Sequence, residues 1–251
     1  MSLYDKKIVN DVGVMAIWEQ TEMESELEAL LPNAPTIVAG IKSEKRRKER
    51  LTVQLLLKEI FGSGVFLDHY PNGQPFLHKK SDCMDTARAH DCMDTARVHV
   101  SIAHTHRFVV VLTHPQMRVG VDIESLDRNF SAVAQRALSD RERSYLCEAS
   151  PFPAEASPFP AAAHHLQVDM RTAQLAILWC AKEALYKCIS QEGVDFARQM
   201  EIEPFTPQKF GTLFARFFHK IQGNGMKTAI STHLLNYEII ENHVLVYIFA
   251  E

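Results

Sequence analysis

Two periods of apolar residues alternate along this chain, and the changes of period mark its elements. Val14–Trp18, Val98–Ala103 and Phe108–Leu112 are short β-rich runs, which predicts strands. Val119, Val121 and Ile123 alternate with Gly120, Asp122 and Glu124, which predicts a strand with one apolar face and both carboxylates on the other. Ser43 can cap a long amphipathic helix that runs to Phe61 and ends at Gly62. A shorter helix is predicted over Glu22–Leu31, stopped by Pro32, and a turn at Pro71-Asn72-Gly73. The second half predicts helices over Ser131–Ala137, Asp140–Ala149 and Thr172–Ile189. Strands follow over Thr212–Phe218 and Lys227–His233, then a hairpin of Tyr237–Ile240 and Val244–Phe249.

Two segments are tandem duplications. Asp82–His90 recurs almost unchanged over Asp91–His99, and Ser150–Ala154 recurs over Ser157–Ala161. Neither is long or numerous enough for a repeat architecture. Extra length costs little in surface loops, so 82–99 and 150–165 read as insertion loops without function of their own.

Composition narrows the class. The 251 residues suffice for one large or two small domains, with ordinary apolar and charged fractions. A net charge of −4 gives no general attraction to nucleic acid, and no nucleic-acid motif is present. Basic residues cluster over Lys42–Arg50 and Arg136–Arg143, which suits a discrete phosphate or an acidic partner. Five cysteines without a C-x-x-C pair favour a reducing, cytoplasmic setting. The first residues lack a signal-peptide pattern, and no apolar run reaches the roughly 20 residues of a membrane helix, so a soluble protein is expected.

The chemistry concentrates in Val119-Gly120-Val121-Asp122-Ile123-Glu124 and Trp179-Cys180-Ala181-Lys182-Glu183-Ala184-Leu185-Tyr186-Lys187. Alone, Asp122 and Glu124 read as the solvated face of an edge strand, and Glu183 with Lys187 as an i,i+4 ion pair contributing only about 0.2–0.5 kcal/mol. Yet Ile177, Leu178, Cys180, Ala181, Ala184, Leu185 and Cys188 nearly encircle the second segment. A helix that apolar is buried, so its charged residues need partners. Three carboxylates and a lysine on two rigid elements are what a magnesium-held pyrophosphate requires: hard oxygen ligands for the ion and a cation for developing charge. Trp179 reads as packing, and Lys182 as either a solvated neighbour or a site residue.

The ordered set resembles the 4′-phosphopantetheinyl transferases, which carry V-G-[IV]-D-[IL]-E and W-x-x-K-E-[AS]-x-x-K. Asn72-Gly73-Gln74-Pro75 is similar to that family's G-K-P turn, Ser101–Thr105 to its S-[IV]-S-H-[ST] segment, and Leu138–Glu142 to a helix start between the acidic motifs. The likeness spans roughly residues 43–196. Gln74 stands where the family has lysine, and Ala103 where it has serine, which removes one charge and one hydroxyl from the coenzyme A contacts.

The resemblance implies an α+β fold of the long single-chain type that activates peptide and polyketide synthases: a pseudo-dimer of two similar α+β halves, 1–114 and 115–251, with the active site at their junction. It implies transfer of the phosphopantetheine arm of coenzyme A to a serine of an acyl or peptidyl carrier protein, with release of 3′,5′-ADP. Mg²⁺ would be held by Asp122, Glu124 and Glu183. Arg47, Arg50, Gln74, His104, Lys182 and Lys187 would contact coenzyme A. Glu183 or a metal-bound hydroxide would deprotonate the serine, and Lys187 would meet the leaving 3′,5′-ADP. Glu142 matches an acidic residue near the family's metal. Arg128, Arg136, Arg141 and Arg143 are candidates for docking an acidic carrier. The protein is expected to be a cytoplasmic monomer. Two rival readings are a magnesium phosphohydrolase of coenzyme A and a carrier-binding module without turnover.

Overall fold

A computed structural model of the chain describes residues 2–79, 98–147, 168–220 and 228–251. The proposed insertion loops lie outside the described residues, except for Val98 and His99. The chain forms two compact units, residues 1–119 with Glu251, and residues 120–250. The division follows Val119 rather than His114. Pro115–Met117 is a bend whose amides are held locally, with the Gln116 and Met117 N–H groups donating to His114 Nδ1 at 3.1 and 2.8 Å.

In chain order the first unit contains β1 (Leu3–Val9), β2 (Gly13–Glu19), α1 (Glu24–Ala29), α2 (Ala34–Ile37), α3 (Glu44–Phe61), β3 (Val65–His69), β4 (Pro75–Lys79), β5 (His99–His104) and β6 (Phe108–His114). Its main sheet has the order β1-β2-β6-β5, every neighbouring pair antiparallel. Helix α3 begins where expected because the Ser43 hydroxyl accepts the Arg46 N–H, and ends at Gly62, whose φ of 78° few other residues adopt. Leu51, Leu55, Leu56 and Leu57 pack into a core with Trp18, Val109 and Val111. Helix α1 is shorter than the apolar period suggests. The Glu22 carboxylate accepts from Trp18 Nε1 and from the Ser2 amide, both at 3.1 Å, which holds residue 22 outside the helix. The expected turn at Asn72-Gly73 joins β3 to β4, pinned by Asn72 Oδ1 accepting the Gln74 N–H at 3.0 Å.

The second unit is formed by β7 (Arg118–Ser125), α4 (Ser131–Ala137), α5 (Asp140–Ser144), α6 (Met170–Ile189), α7 (Phe196–Gln199), β8 (Met200–Ile202), β9 (Phe210–Lys220), β10 (Thr228–Ile240) and β11 (His243–Ala250). Its sheet has the order β7-β11-β10-β9-β8. The two strands expected near 227–240 are one long strand, because Leu235 pairs with Leu213 on one side and Ile248 on the other. Helix α6 starts before Thr172, at Met170, since the Asp169 carboxylate caps it by accepting the Thr172 N–H at 2.7 Å. The fold is mixed α+β, with a sheet and one long helix in each unit.

Candidate active site

The site in the second unit begins with a glycine. A Cβ on Gly120 would lie 1.9 Å from the Ala184 carbonyl oxygen and 2.9 Å from Cys188 Cβ, so only glycine lets β7 and α6 approach this closely. The period of two then aims Asp122 at the same helix. Val119, Val121 and Ile123 are buried on the other face. Asp122, on a strand at the sheet edge, is nevertheless only 7% exposed. The solvated-edge reading of that carboxylate is therefore wrong.

Helix α6 supplies the rest. Lys187 Nζ donates to Asp122 Oδ1 at 2.8 Å and to the Val121 carbonyl at 3.0 Å. Glu124 accepts from Trp179 Nε1 at 3.0 Å and pairs with Arg128, whose guanidinium also lies over the Trp179 and Phe130 rings. Trp179 packs against Phe196, as a packing residue should, but its indole N–H also fixes an acid of the site. Burial, then the Asp122 and Glu124 charges, push the Glu183 carboxyl up to about 7, while Lys187 and Arg128 pull it back. Burial and Asp122 likewise raise Glu124. Each acid thus lies within electrostatic reach of the others, and Asp122 and Glu183 share one site.

Magnesium can be weighed against these groups. Asp122 Oδ2 is buried with no hydrogen-bond partner, and three carboxylates sharing Lys187 and Arg128 repel one another; both features fit a hard divalent cation. Among the described residues, however, no three acidic, histidine or cysteine side chains converge as a metal-holding group. Asp122 Oδ1 is turned to Lys187 and Glu124 to Trp179 and Arg128 instead. The donor chemistry fits; the side chains stand in ion pairs and hydrogen bonds with the protein.

Lys182 is a correction. Its ammonium is 0% exposed and bonds Glu142 at 2.6 Å and the carbonyls of Ala137, Phe196 and Met200 at 2.7, 2.9 and 2.9 Å. With all donors satisfied inside the core, it cannot meet coenzyme A. Glu142 is equally committed. It closes a capping box with Ser139, accepts the Ile202 N–H at 2.9 Å and is itself 0% exposed. The two residues clamp α5, α6 and β8 together rather than serve chemistry.

In the first unit, Arg47 is bound on all sides: Nη2 donates to Glu24 at 2.9 Å, Nε to the same carboxylate, and Nη1 to the Ile41 and Lys42 carbonyls. Arg50 donates Nη2 to the Leu67 carbonyl at 2.9 Å, half-buried beside Asp68 and His69. Gln74 is half-exposed at the hairpin turn. His104 ends β5, with Nδ1 3.2 Å from Glu49 of α3. Of the arginines considered for docking, Arg128 is drawn into the acid site, Arg141 pairs with Glu201, and Arg143 with Asp140. The signals overlooked in the sequence were Gly120, lying between the valines of the first motif, and Trp179 as a donor.

Fold and site together define an α+β protein with an acidic, lysine-bearing site. Residues 118–231, from β7 through α6 into β10, match the family model of the 4′-phosphopantetheinyl transferase superfamily. Over those residues the chain is similar to this superfamily of transferases. No curated protein matches the chain. No helix among the described residues is long and apolar enough to cross a membrane.

Proposed function

We propose that this protein transfers the 4′-phosphopantetheine group of coenzyme A to a serine of an apo acyl or peptidyl carrier protein, releasing 3′,5′-ADP. The observation that carries this reading is the joining, inside the matched domain, of Asp122, Glu124, Glu183 and Lys187 around one strand–helix contact. The serine oxygen forms a bond to the β-phosphorus, and the bond from that phosphorus to the leaving 3′,5′-ADP oxygen breaks. Glu183 accepts the serine proton. Lys187 leaves its pairing with Asp122 to meet the charge on the departing phosphate. Asp122, Glu124 and Glu183 would hold magnesium, which when bound supplies neutralisation of the pyrophosphate oxygens. Arg50 and His104 are proposed phosphate contacts, with Gln74 a neutral one. Arg47 is the weaker candidate, because binding would require it to leave Glu24. The pseudo-dimeric kinship of the two units, a monomeric state and a cytoplasmic setting belong to the same proposal.

The test is intact-mass spectrometry of a panel of apo-carriers incubated with coenzyme A and Mg²⁺. Gain of one phosphopantetheine on the carrier serine, lost with Glu183→Gln, is expected. Release of 3′,5′-ADP without any carrier would instead identify a phosphohydrolase. Carrier capture with the serine unmodified would identify a binding module.

A further inference from the structure

Helix α6 and strand β7 meet through a stripe of three side chains. Trp179, Glu183 and Lys187 are spaced by four residues, which puts them nearly in line along α6, one turn apart. Asp122 and Glu124 share one face of β7. Each end of the stripe holds one strand acid: Trp179 Nε1 donates to Glu124 at 3.0 Å, and Lys187 Nζ to Asp122 at 2.8 Å. Glu183 comes between them in the helix. In both pairs the helix donor bonds a single oxygen. Lys187 takes Asp122 Oδ1, while Oδ2 is buried with no hydrogen-bond partner. Trp179 takes Glu124 Oε1, and the Arg128 guanidinium donates to that same oxygen, so neither donor is on Oε2.

We infer that Trp179 is a positioning residue for a divalent cation: its indole N–H ties down Glu124 Oε1 and leaves Oε2 as the oxygen offered to the ion, as Lys187 leaves Oδ2 of Asp122. The inference rests on the proposed magnesium site. A hard cation needs its carboxylate oxygens held in place, and a ligating carboxylate is oriented by the hydrogen bonds it accepts from the protein. An uncharged donor suits this task, because it fixes Glu124 without adding a positive charge that would repel the ion. Arg128 orients the same oxygen but brings that charge, so the two donors are not equivalent. The indole is itself held, with the Arg128 guanidinium 5.6 Å and the Phe196 ring 5.9 Å from the indole ring centre.

The experiment uses the full chain, with and without coenzyme A and with no carrier. Mn²⁺ is the probe, because it suits the same oxygen ligands as Mg²⁺. Electron paramagnetic resonance counts free Mn²⁺ over wild type and Trp179→Phe, and Mg²⁺ is then added as competitor. Trp179→Phe keeps an aromatic ring against Phe196 and loses the N–H. Its Mn²⁺ dissociation constant should rise about tenfold, the usual loss when a partner of a ligating carboxylate is removed. A change of less than about twofold overturns the inference. Proton–nitrogen NMR gives a second readout with Trp179 in place. The chain has two tryptophans, so Trp18→Phe assigns the Trp179 indole signal. That N–H should stay hydrogen-bonded, and slow to exchange with water, when Mg²⁺ saturates the protein. Its release on Mg²⁺ binding overturns the inference, because Glu124 would then be turning Oε1 to the ion. A wild type that takes up neither ion, with or without coenzyme A, overturns the magnesium reading and this role of Trp179 with it. Thermal melts of Trp179→Phe separate weaker binding from loss of fold, and where the fold is lost the indole signal decides.

Discussion

Lys187 Nζ stands 2.8 Å from Asp122 Oδ1, which ties the last turn of α6 to the middle of β7 across a spacing of 65 residues. Lys187, together with Arg128 on Glu124, here compensates a group of three acids. Lys187→Met removes both its share of that compensation and the cation proposed to meet the leaving group. Carrier loading should fall by about 10²–10³-fold in turnover, the usual cost of losing a preorganised donor. Steady-state assays with a competent carrier check this, and a turnover within threefold of wild type would exclude the role.

The close approach at Gly120 makes a second, purely steric forecast. Gly120→Ala places a methyl group against the rigid Ala184 carbonyl. Overpacking of this kind costs about 1–3 kcal/mol, and a backbone clash belongs at the upper end. Urea unfolding should register the loss. Activity should fall even where the variant is folded, because Asp122 and Lys187 are pushed apart.

The Lys182–Glu142 pair predicts a stability effect without a catalytic one. Lys182→Met leaves Glu142 buried and uncompensated, a loss of about 3–5 kcal/mol. Combining it with Glu142→Leu should recover a substantial part, since an apolar pair of similar volume avoids the stranded charge. A single variant as stable as wild type, measured by denaturant titration, would refute the clamp.

Glu183 gives a pH signature in divalent-free buffer. Its folded carboxyl titrates at about 7, above the ordinary 4.5, so the folded state holds the proton more tightly than the unfolded chain. Its stabilising contribution is complete below about pH 4.5 and is lost as pH rises through 7. Glu183→Gln should remove that loss. Its stability relative to wild type should grow between pH 4.5 and 7, by about 1–2 kcal/mol after allowance for partial exposure. Added Mg²⁺ should favour wild type at pH 7 and leave the variant unaffected. Parallel melts at several pH values check both signs.

Gln74→Lys should lower the Michaelis constant for coenzyme A. The side chain is half-exposed on a turn whose backbone is held by Asn72, so the substitution adds a charge without disturbing the fold. Initial rates across coenzyme A concentrations decide it: an unchanged or higher constant counts against position 74 as a phosphate contact.

Local pattern alone determined much of this protein. The alternation of Val119–Glu124 placed two acids on one strand face, Ser43 and Gly62 bounded α3, and the apolar girdle of residues 177–188 announced a buried helix. These are short-range properties, set by the period of the backbone and by caps within a turn of each other. The sequence also supplied the order of motifs that pointed to the transferase superfamily. Elements without a strong period of their own escaped it: the edge strand β1, the hairpin strands β3 and β4, and the short α2, α7 and β8. They are stabilised by pairing with or packing on a neighbouring element rather than by a period of their own.

Only the tertiary structure decided which charges face one another. Lys182 and Lys187 sit five residues apart on α6, about 140° apart in helical projection at roughly 100° per residue. One is drawn into the core by Glu142 and three carbonyls, the other toward Asp122. Arg47 and Arg50 likewise share a helix and part company, one locked to Glu24 and the other left beside His69. Helical spacing fixes an angle, but the partner at that angle comes from another element, and burial sets how strongly the two interact.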